Sequence, residues 1–343
     1  MAKSISPILL IGGTGMVGSK VVEHIRRLHP DLPLAIAARD AVRGREVAER
    51  AGNAEFLTVD LTRPDLGLPA RPFGAVVALV KENTLNPLRL AEAASIPYLS
   101  MADGAFEIAP AVARHILRPL TVPMLLAGQW ASGVTSLATL HYARKFEQLH
   151  SIEVTVIMDP DEPAGPMATS DVEQIMLNSP RPLMLREGRW QWAAEPRSTR
   201  KVVTATGETV EVQAMSVLDT VDLAAITDAQ SVRFDFGSAM TAARKAGGPA
   251  AHEMIIVIEG VLKDGRTGQM RVDIETSQGA SGLTALGVTL GLERLLGLAG
   301  EPPLAPGLYV PESVIDPAYA VKHVLELGGK LSEAPLQETR SAA

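Results

Sequence analysis

The stretch Ile8-Leu9-Leu10-Ile11-Gly12-Gly13-Thr14-Gly15-Met16-Val17-Gly18 decides the fold. Four apolar residues run into a glycine-rich turn, and the turn runs into Met16 to Leu28, where Val17, Val21, Val22, Ile25 and Leu28 keep helical spacing. Gly13, Gly15 and Gly18 form G-x-G-x-x-G. In that pattern the first glycine makes the tight turn, the second lets a pyrophosphate approach the backbone, and the third lets helix pack on strand. N–H groups at the helix start have no partner inside the helix and face the phosphates. Gly13, Thr14, Gly15, Met16, Val17 and Gly18 are therefore the expected phosphate-binding turn of a dinucleotide site. Glycine-rich βα turns also occur for packing alone; the strand before and the helix after favour the dinucleotide.

The next strand selects the nucleotide. Pro33 to Ala38 is a short apolar run followed by Arg39-Asp40, near the position where NAD-binding chains place an acidic residue on the ribose 2′-hydroxyl. Arg39 comes first, and its planar fork of donors suits a 2′-phosphate better than a diol. The expectation is NADP(H), with Arg43 and Arg45 adding charge. Asp40 keeps NAD open, and a solvated cluster of charges at a helix start is the plainer account. Asp60, closing the third strand, and Val80, ending the fourth, complete the expected nucleotide edge.

Strand and helix alternate through the next hundred residues. Helices are expected at 41–51, 83–94 and 105–117, and strands at 55–59, 75–80, 98–101 and 122–126, which predicts a parallel sheet covered on both faces. After Gln129-Trp130 and a helix at 134–148 the strands lengthen and alternate in polarity. Residues 254–262 and 268–276 read as a hairpin across Asp264-Gly265-Arg266, and Ile152 to Met158 as a half-buried strand, with shorter ones at 189–193, 202–205 and 209–213. A helix at 282–298, a Pro-rich segment and a helix at 317–327 follow. The predicted class is α/β: a discontinuous Rossmann-type, doubly wound parallel sheet with a central α+β domain built on a mainly antiparallel sheet. Residues 1–130, completed by 282–331, form the expected NADP-binding domain; 131–281 form a substrate and dimerisation domain, and 332–343 a flexible tail.

Composition narrows the classes. The 343 residues are 46% hydrophobic and 21% charged, a globular balance. A net charge of −7 gives no basic field for nucleic acid or an anionic membrane. No cysteine is present, which excludes disulfides, thiol catalysis and thiolate metal sites. The apolar stretch Leu283 to Leu298 carries Glu293 and Arg294 and reads as a buried helix. No signal-peptide pattern stands at residues 1–11, so the cytoplasm is the default expectation.

Four separated stretches carry a resemblance: the glycine turn, Ala37-Ala38-Arg39-Asp40, Tyr98-Leu99-Ser100-Met101-Ala102-Asp103, and Pro306-Gly307-Leu308-Tyr309-Val310-Pro311-Glu312. Together they resemble the saccharopine dehydrogenase/reductase-like family. The likeness covers about the first 140 and last 60 residues in motif, and the centre in architecture. It implies a discontinuous Rossmann domain, NAD(P) binding, and chemistry that includes reducing an imine to join an amine and a carbonyl compound. One departure matters: where the family commonly has small residues, glycine and proline beside the nicotinamide, this chain has Leu79-Val80-Lys81-Glu82-Asn83.

Hydride transfer needs a positioned cofactor, a desolvated pocket and a proton donor. Lys81, expected at the carboxyl end of a central strand, is the candidate donor, with burial expected to bring its pKa toward neutrality; a solvated helix-start lysine is the alternative. Asp103 is the second catalytic candidate, able to take a substrate ammonium, and the resemblance also places an acidic residue there; capping a helix near Ala105 explains it equally. Gln129 and Trp130 follow the sixth strand. Seven histidines form no metal pattern, so no metal is expected. No Gly-x-Ser-x-Gly elbow and no Tyr-x-x-x-Lys pair is present. Arg181, Arg186, Arg189, Arg197, Arg200 and Lys201 suit an amino- or keto-acid carboxylate, or simply a charged sheet edge. Trp190 and Trp192 share one face of a strand and are expected in the core or at a dimer interface.

The leading expectation is an NADPH-dependent oxidoreductase that reduces an imine, or oxidises the matching secondary amine, in a cleft between the domains of a homodimer. Reduction of a carbonyl or an activated alkene, and a non-catalytic NADP-binding regulator, stay open.

Overall fold

The computed structural model describes residues 6–81, 84–101, 104, 107–119, 121–334 and 337–338. The chain divides into two compact units, Met1–Gly133 with Thr284–Ile315, and Val134–Leu283 with Asp316–Ala343.

In chain order, β1 (Ile8–Ile11), α1 (Met16–Leu28), β2 (Leu34–Ala38), α2 (Ala41–Ala51), β3 (Ala54–Thr58), β4 (Ala75–Ala78), α3 (Asn86–Ala94), β5 (Tyr98–Ser100), α4 (Ala109–Leu117) and β6 (Pro123–Leu126) come first. Then follow α5 (Val134–Ala143), β7 (Phe146–Met158), α6 (Pro166–Asn178), β8 (Leu183–Arg186), β9 (Arg189–Trp192), β10 (Thr199–Val203), β11 (Thr209–Ala214), α7 (Leu218–Thr227), β12 (Ser231–Ser238), α8 (Ala242–Lys245), β13 (His252–Leu262) and β14 (Thr267–Thr276). The chain ends through α9 (Gly279–Leu296), β15 (Gly307–Tyr309), α10 (Pro311–Val314), α11 (Pro317–Glu326), β16 (Lys330–Glu333) and β17 (Gln337–Glu338).

The first unit is a seven-stranded parallel sheet in the order β15-β6-β5-β4-β1-β2-β3. The order reverses between β1 and β4, the switch point beside which ligands of open α/β sheets bind. Strands buried on both faces read as unbroken apolar runs, and β1, β2 and β4 are buried at every residue. Leu9, Ala35, Val76, Tyr98 and Met124 face one side, packed with Leu88 and Ala91 of α3 and Ala111 of α4. On the other side two glycines allow close contact. A Cβ at Gly44 of α2 would fall 2.1 Å from the Phe56 ring, and one at Gly291 of α9 would fall 2.6 Å from Leu125 Cδ2.

The second unit is built on a mixed sheet, β10-β11-β12-β7-β13-β14-β16, antiparallel except where β12 runs parallel to β7. One face packs Ile157, Val212 and Ile255. The tip of the β10–β11 hairpin reaches β14 and α8: Arg271 donates to the Val203 carbonyl (2.6 Å), and Lys245 to Glu208 (2.6 Å). Helix α5 covers the sheet beside α7 and α11; Ser136 donates to Asp219 at 2.6 Å, tying α5 to α7.

Several expectations need correction. The helix expected at 134–148 stops at Ala143, and residues 146–150 join β7 instead, because Phe146 to Leu149 pair with β13 and Phe146 is buried. Pairing with a neighbouring strand here overrides local helix propensity. Helix α4, expected from residue 105, begins at Ala109, with Ile108 as its N-cap and a proline in its first turn. Helices α6 and α7 and strand β12 were not foreseen. Only Thr284–Ile315 of the C-terminal part returns to the first unit. Helix α11 packs on α5, and β16 lengthens the sheet beside β14. The expected flexible tail therefore contains strand residues Ser332 and Glu333, and β17 also pairs with β14. Among the described residues no helix is long and apolar enough to cross a membrane.

Candidate nucleotide site

The glycine turn sits at the carboxyl end of β1, where each glycine meets a different constraint. Gly12, which precedes the motif, takes the left-handed backbone (φ 86°); a Cβ there would lie 2.4 Å from Val80 Cγ1. The turn therefore needs glycine at position 12, while Gly13 has an ordinary φ and is enclosed by Ile36 and the Leu10 carbonyl. A Cβ at Gly18 would lie 2.2 Å from the Gly12 carbonyl oxygen and 2.7 Å from Gly13 Cα. Gly15 is exposed, and its Cβ would meet only the Gly12 oxygen, at 3.3 Å. The backbone at Gly15 is thus open to a ligand, while the one at Gly18 is pressed on the turn.

Helix α1 starts at Met16 with Gly15 as its N-cap, and no side chain caps it. No acidic residue stands in its first turn, so the amides of Met16, Val17 and Gly18 and the positive end of the helix dipole are available to an anion.

At the end of β2, Arg39 and Asp40 are both exposed. Asp40 is the N-cap of α2: its Oδ1 accepts from the Val42 amide (2.9 Å) and the Arg43 amide (3.1 Å). Both bonds fall on that one oxygen, through which the carboxylate caps its own helix. Arg43 and Arg45 are exposed on the same helix. Asp60, just beyond β3, is likewise turned to its own loop, accepting from the Thr62 amide (3.0 Å) and hydroxyl (2.7 Å), which hold its carboxyl below the usual carboxylate range. Val80 lies beside Gly12 at the switch point.

Lys81 follows Val80, past the carboxyl end of β4. Its side chain is 30% exposed and its Nζ lies 2.8 Å from Glu107 Oε1. The desolvated amine expected from sequence is instead a half-exposed, ion-paired one. Glu107 Oε2 also accepts the Gly104 amide at 3.0 Å, so one carboxylate joins the segments that follow β4 and β5. Asp103 lies outside the described residues.

Beyond β6, Gln129 is buried, and the turn Trp130–Gly133 holds three successive left-handed residues, Ala131 (φ 53°), Ser132 (φ 50°) and Gly133 (φ 89°). It is locked from two sides. A Cβ at Gly133 would lie 2.5 Å from Pro311 Cβ, and one at Gly287 would lie 2.4 Å from the Ser132 carbonyl oxygen.

Three parts of this edge escaped the sequence reading. Gly12 was signalled only by being a second glycine before the motif. Glu107 lies 26 positions from Lys81 with no periodicity linking them. The left-handed run was hidden because Ala131 and Ser132 are residue types that rarely adopt it. Of the expected arginine cluster, Arg200 is paired with Glu153 and Asp235, a structural network, while Arg181, Arg186, Arg189 and Arg197 are exposed. Trp190 and Trp192 are exposed, which removes the core reading. Among the described residues no three His, Cys, Asp or Glu side chains come together as a metal-binding group.

No protein-family model matches the chain. No curated protein sequence matches it either. Among solved structures it is similar to apo histidine-tagged saccharopine dehydrogenase (L-Glu forming) from Saccharomyces cerevisiae. The TM-score is 0.71 at 11% identity, covering 96% of this chain and 100% of that one. It is also similar to homospermidine synthase from Legionella pneumophila in complex with NAD, with a TM-score of 0.65 at 13% identity, covering 97% of this chain and 91% of that one. The fold expected from the resemblance, that of saccharopine dehydrogenase, is the fold observed.

Proposed function

We propose that this chain is an NADPH-dependent oxidoreductase that reduces an imine, or oxidises the matching secondary amine, at the carboxyl edge of its parallel sheet. The observation that carries the cofactor choice is at the end of β2. Asp40, the acidic residue nearest the ribose position, has its Oδ1 taken by the Val42 and Arg43 amides, and Arg39 is exposed beside it. A diol would find one oxygen of its usual carboxylate already used by the helix, whereas a 2′-phosphate would meet Arg39, with Arg43 and Arg45 on the following helix.

The glycine turn fits the rest of a dinucleotide. The open backbone at Gly15 and the uncapped amides of Met16, Val17 and Gly18 would hold the pyrophosphate, with Thr14 alongside. Val80 and Gly12 form the wall at the switch point. When bound, the reduced nicotinamide supplies the hydride. Lys81 would then donate a hydrogen bond or proton to the substrate nitrogen from its Nζ, with Glu107 holding the ammonium across the edge. Asp103 is the proposed anchor for a substrate ammonium group. The C–N bond is supported by the resemblance and by the names of the two similar structures, a saccharopine dehydrogenase and a homospermidine synthase. An amino or keto acid is the proposed substrate class.

Titration of the purified protein with NADPH and NADH, followed by nicotinamide fluorescence in wild type and Arg39→Ala, tests the cofactor. Strong preference for NADPH, lost in the variant, is expected. Failure to bind either nucleotide overturns the reading. Turnover of NADPH with amine-plus-ketone mixtures, compared with ketone or enone alone, tests the bond, since only imine reduction needs the amine.

A further inference from the structure

The second unit carries an open strand edge with two tryptophans on it. β8 and β9 form a hairpin through Glu187 and Gly188, both left-handed (φ 50° and 74°), the primed geometry of a tight two-residue turn. β8 is attached to β12 at Leu185, opposite Val232. Among the described residues β9 pairs with β8 alone. Trp190 and Trp192, two residues apart and so on one face, are 47% and 55% exposed. Exposed tryptophan is uncommon on a monomer, and tryptophan and arginine are enriched in the cores of interfaces.

Hydrogen-bond parity then decides what can pair with this edge. In a two-residue hairpin the residues flanking the turn, Arg186 and Arg189, exchange hydrogen bonds, and such pairs alternate along the ladder. Arg189 and Gln191 therefore turn their N–H and C=O groups toward β8, and Trp190 and Trp192 turn theirs to the open edge. A two-fold axis normal to the sheet keeps each face on its own side, so antiparallel pairing of two copies must centre on a residue. Centred on Trp190, it would set Trp192 opposite Gly188, whose amide is already bonded to the Gln230 carbonyl at 2.7 Å. Centred on Gln191, it sets Trp190 opposite the partner's Trp192 twice, with four complementary backbone hydrogen bonds. The indoles then form two cross-strand aromatic pairs on one face. Arg189 meets the partner's Ala193, so no like charges stand opposite each other.

We propose that β9 pairs antiparallel with β9 of a second copy of this chain, about a two-fold axis at Gln191, joining two units through a continuous sheet and a four-tryptophan cluster. The interface is isologous and closes as a dimer.

The chain has no cysteine, so one introduced thiol reads the geometry directly. At the axis Gln191 faces its own copy in a non-hydrogen-bonded pair, with Cα atoms about 4.5 Å apart, inside the range a disulfide spans. Gln191→Cys under mild oxidation is expected to form a covalent dimer at micromolar concentration, while a thiol at the exposed Glu173 (Glu173→Cys) stays monomeric. Sedimentation of the wild type is expected to give a dimer that Trp190→Ala with Trp192→Ala converts to monomer, with the circular dichroism spectrum retained. A wild-type monomer at 100-fold higher concentration than the crosslinking experiment overturns the proposal, as does a dimer in which Gln191→Cys does not crosslink. The crosslink is made in a chain with both tryptophans intact, so misfolding of the tryptophan variant leaves the test decisive.

Discussion

Lys81 Nζ lies 2.8 Å from Glu107 Oε1, and the other oxygen of the same carboxylate accepts the Gly104 amide at 3.0 Å. The pair bridges the segments after β4, which borders the switch point, and β5, its neighbour in the sheet. It gives the lysine a fixed direction that a free four-carbon side chain lacks. If the ammonium serves the substrate nitrogen, Lys81→Met is expected to lower kcat by about 10²–10⁴-fold, the range for loss of a positioned proton donor. Glu107→Gln, which keeps a hydrogen-bond acceptor but removes the charge, is expected to lower it less. Both variants should bind NADPH as the wild type does. Steady-state rates alongside nucleotide fluorescence check this, and a Lys81→Met enzyme with full turnover refutes the role.

The glycine turn separates folding from binding. Gly18→Ala would drive a Cβ to 2.2 Å from the Gly12 oxygen, against backbone on both sides. Overpacking of this kind costs about 1–3 kcal/mol, so the unfolding midpoint is expected to fall. At Gly15 a Cβ meets only one oxygen at 3.3 Å, so Gly15→Ala is expected to fold nearly as well while weakening NADPH binding by occupying the phosphate's space. Thermal unfolding and nucleotide titration of the two variants should move in opposite ranks.

Much of the first unit was legible because its signals are local. Fully buried parallel strands need unbroken apolar runs, and amphipathic helices need spacing, so α1 and α2 were placed to the residue. What failed depended on distant partners. Phe146 to His150 can continue a helix, and only pairing with β13 makes them strand. Strand β12 alternates Val232, Phe234 and Phe236 with Arg233 and Asp235, yet its place between β11 and β7 follows from topology. At the site, glycine types exposed the turn, but the φ of Gly12 and the reach of Glu107 to Lys81 are properties of the folded chain. Asp40 keeps the NAD alternative open in sequence; its service as the α2 N-cap follows once the helix start is fixed.

Asp40 and Arg39 make separable contributions. Asp40→Ala removes an N-cap that accepts two amides, which costs about 1 kcal/mol, and is expected to leave the preference for NADPH over NADH unchanged. Arg39→Ala is expected to leave stability unchanged and weaken NADPH alone by about 10- to 100-fold, the worth of a hydrogen bond to a charged group. Selective weakening of NADH in the aspartate variant instead would return the ribose to Asp40.

Glu253 gives a pH signature confined to the second unit. It is buried, with Oε1 taking the Ala242 amide at 3.2 Å, and it stands opposite Glu275 on the neighbouring strand. Together with Asp273 and Lys330 they line a cavity of about 120 Å³. Burial raises the Glu253 pKa above its ordinary 4.5, and Glu275 and Asp273 add to the rise, against the Ala242 and Ala205 amides, which lower it. A carboxyl raised in the fold binds its proton more tightly there than in the unfolded chain. Its contribution is therefore full below about pH 4.5 and is lost as pH rises through the folded value. Glu253→Gln keeps an acceptor for Ala242 and never ionises. Its unfolding midpoint is expected to exceed that of the wild type at pH 8, with the gap shrinking as pH falls toward 4.5. Denaturation of both proteins across that window measures the gap, and a constant or inverted difference would show that Glu253 carries its charge in the fold without penalty.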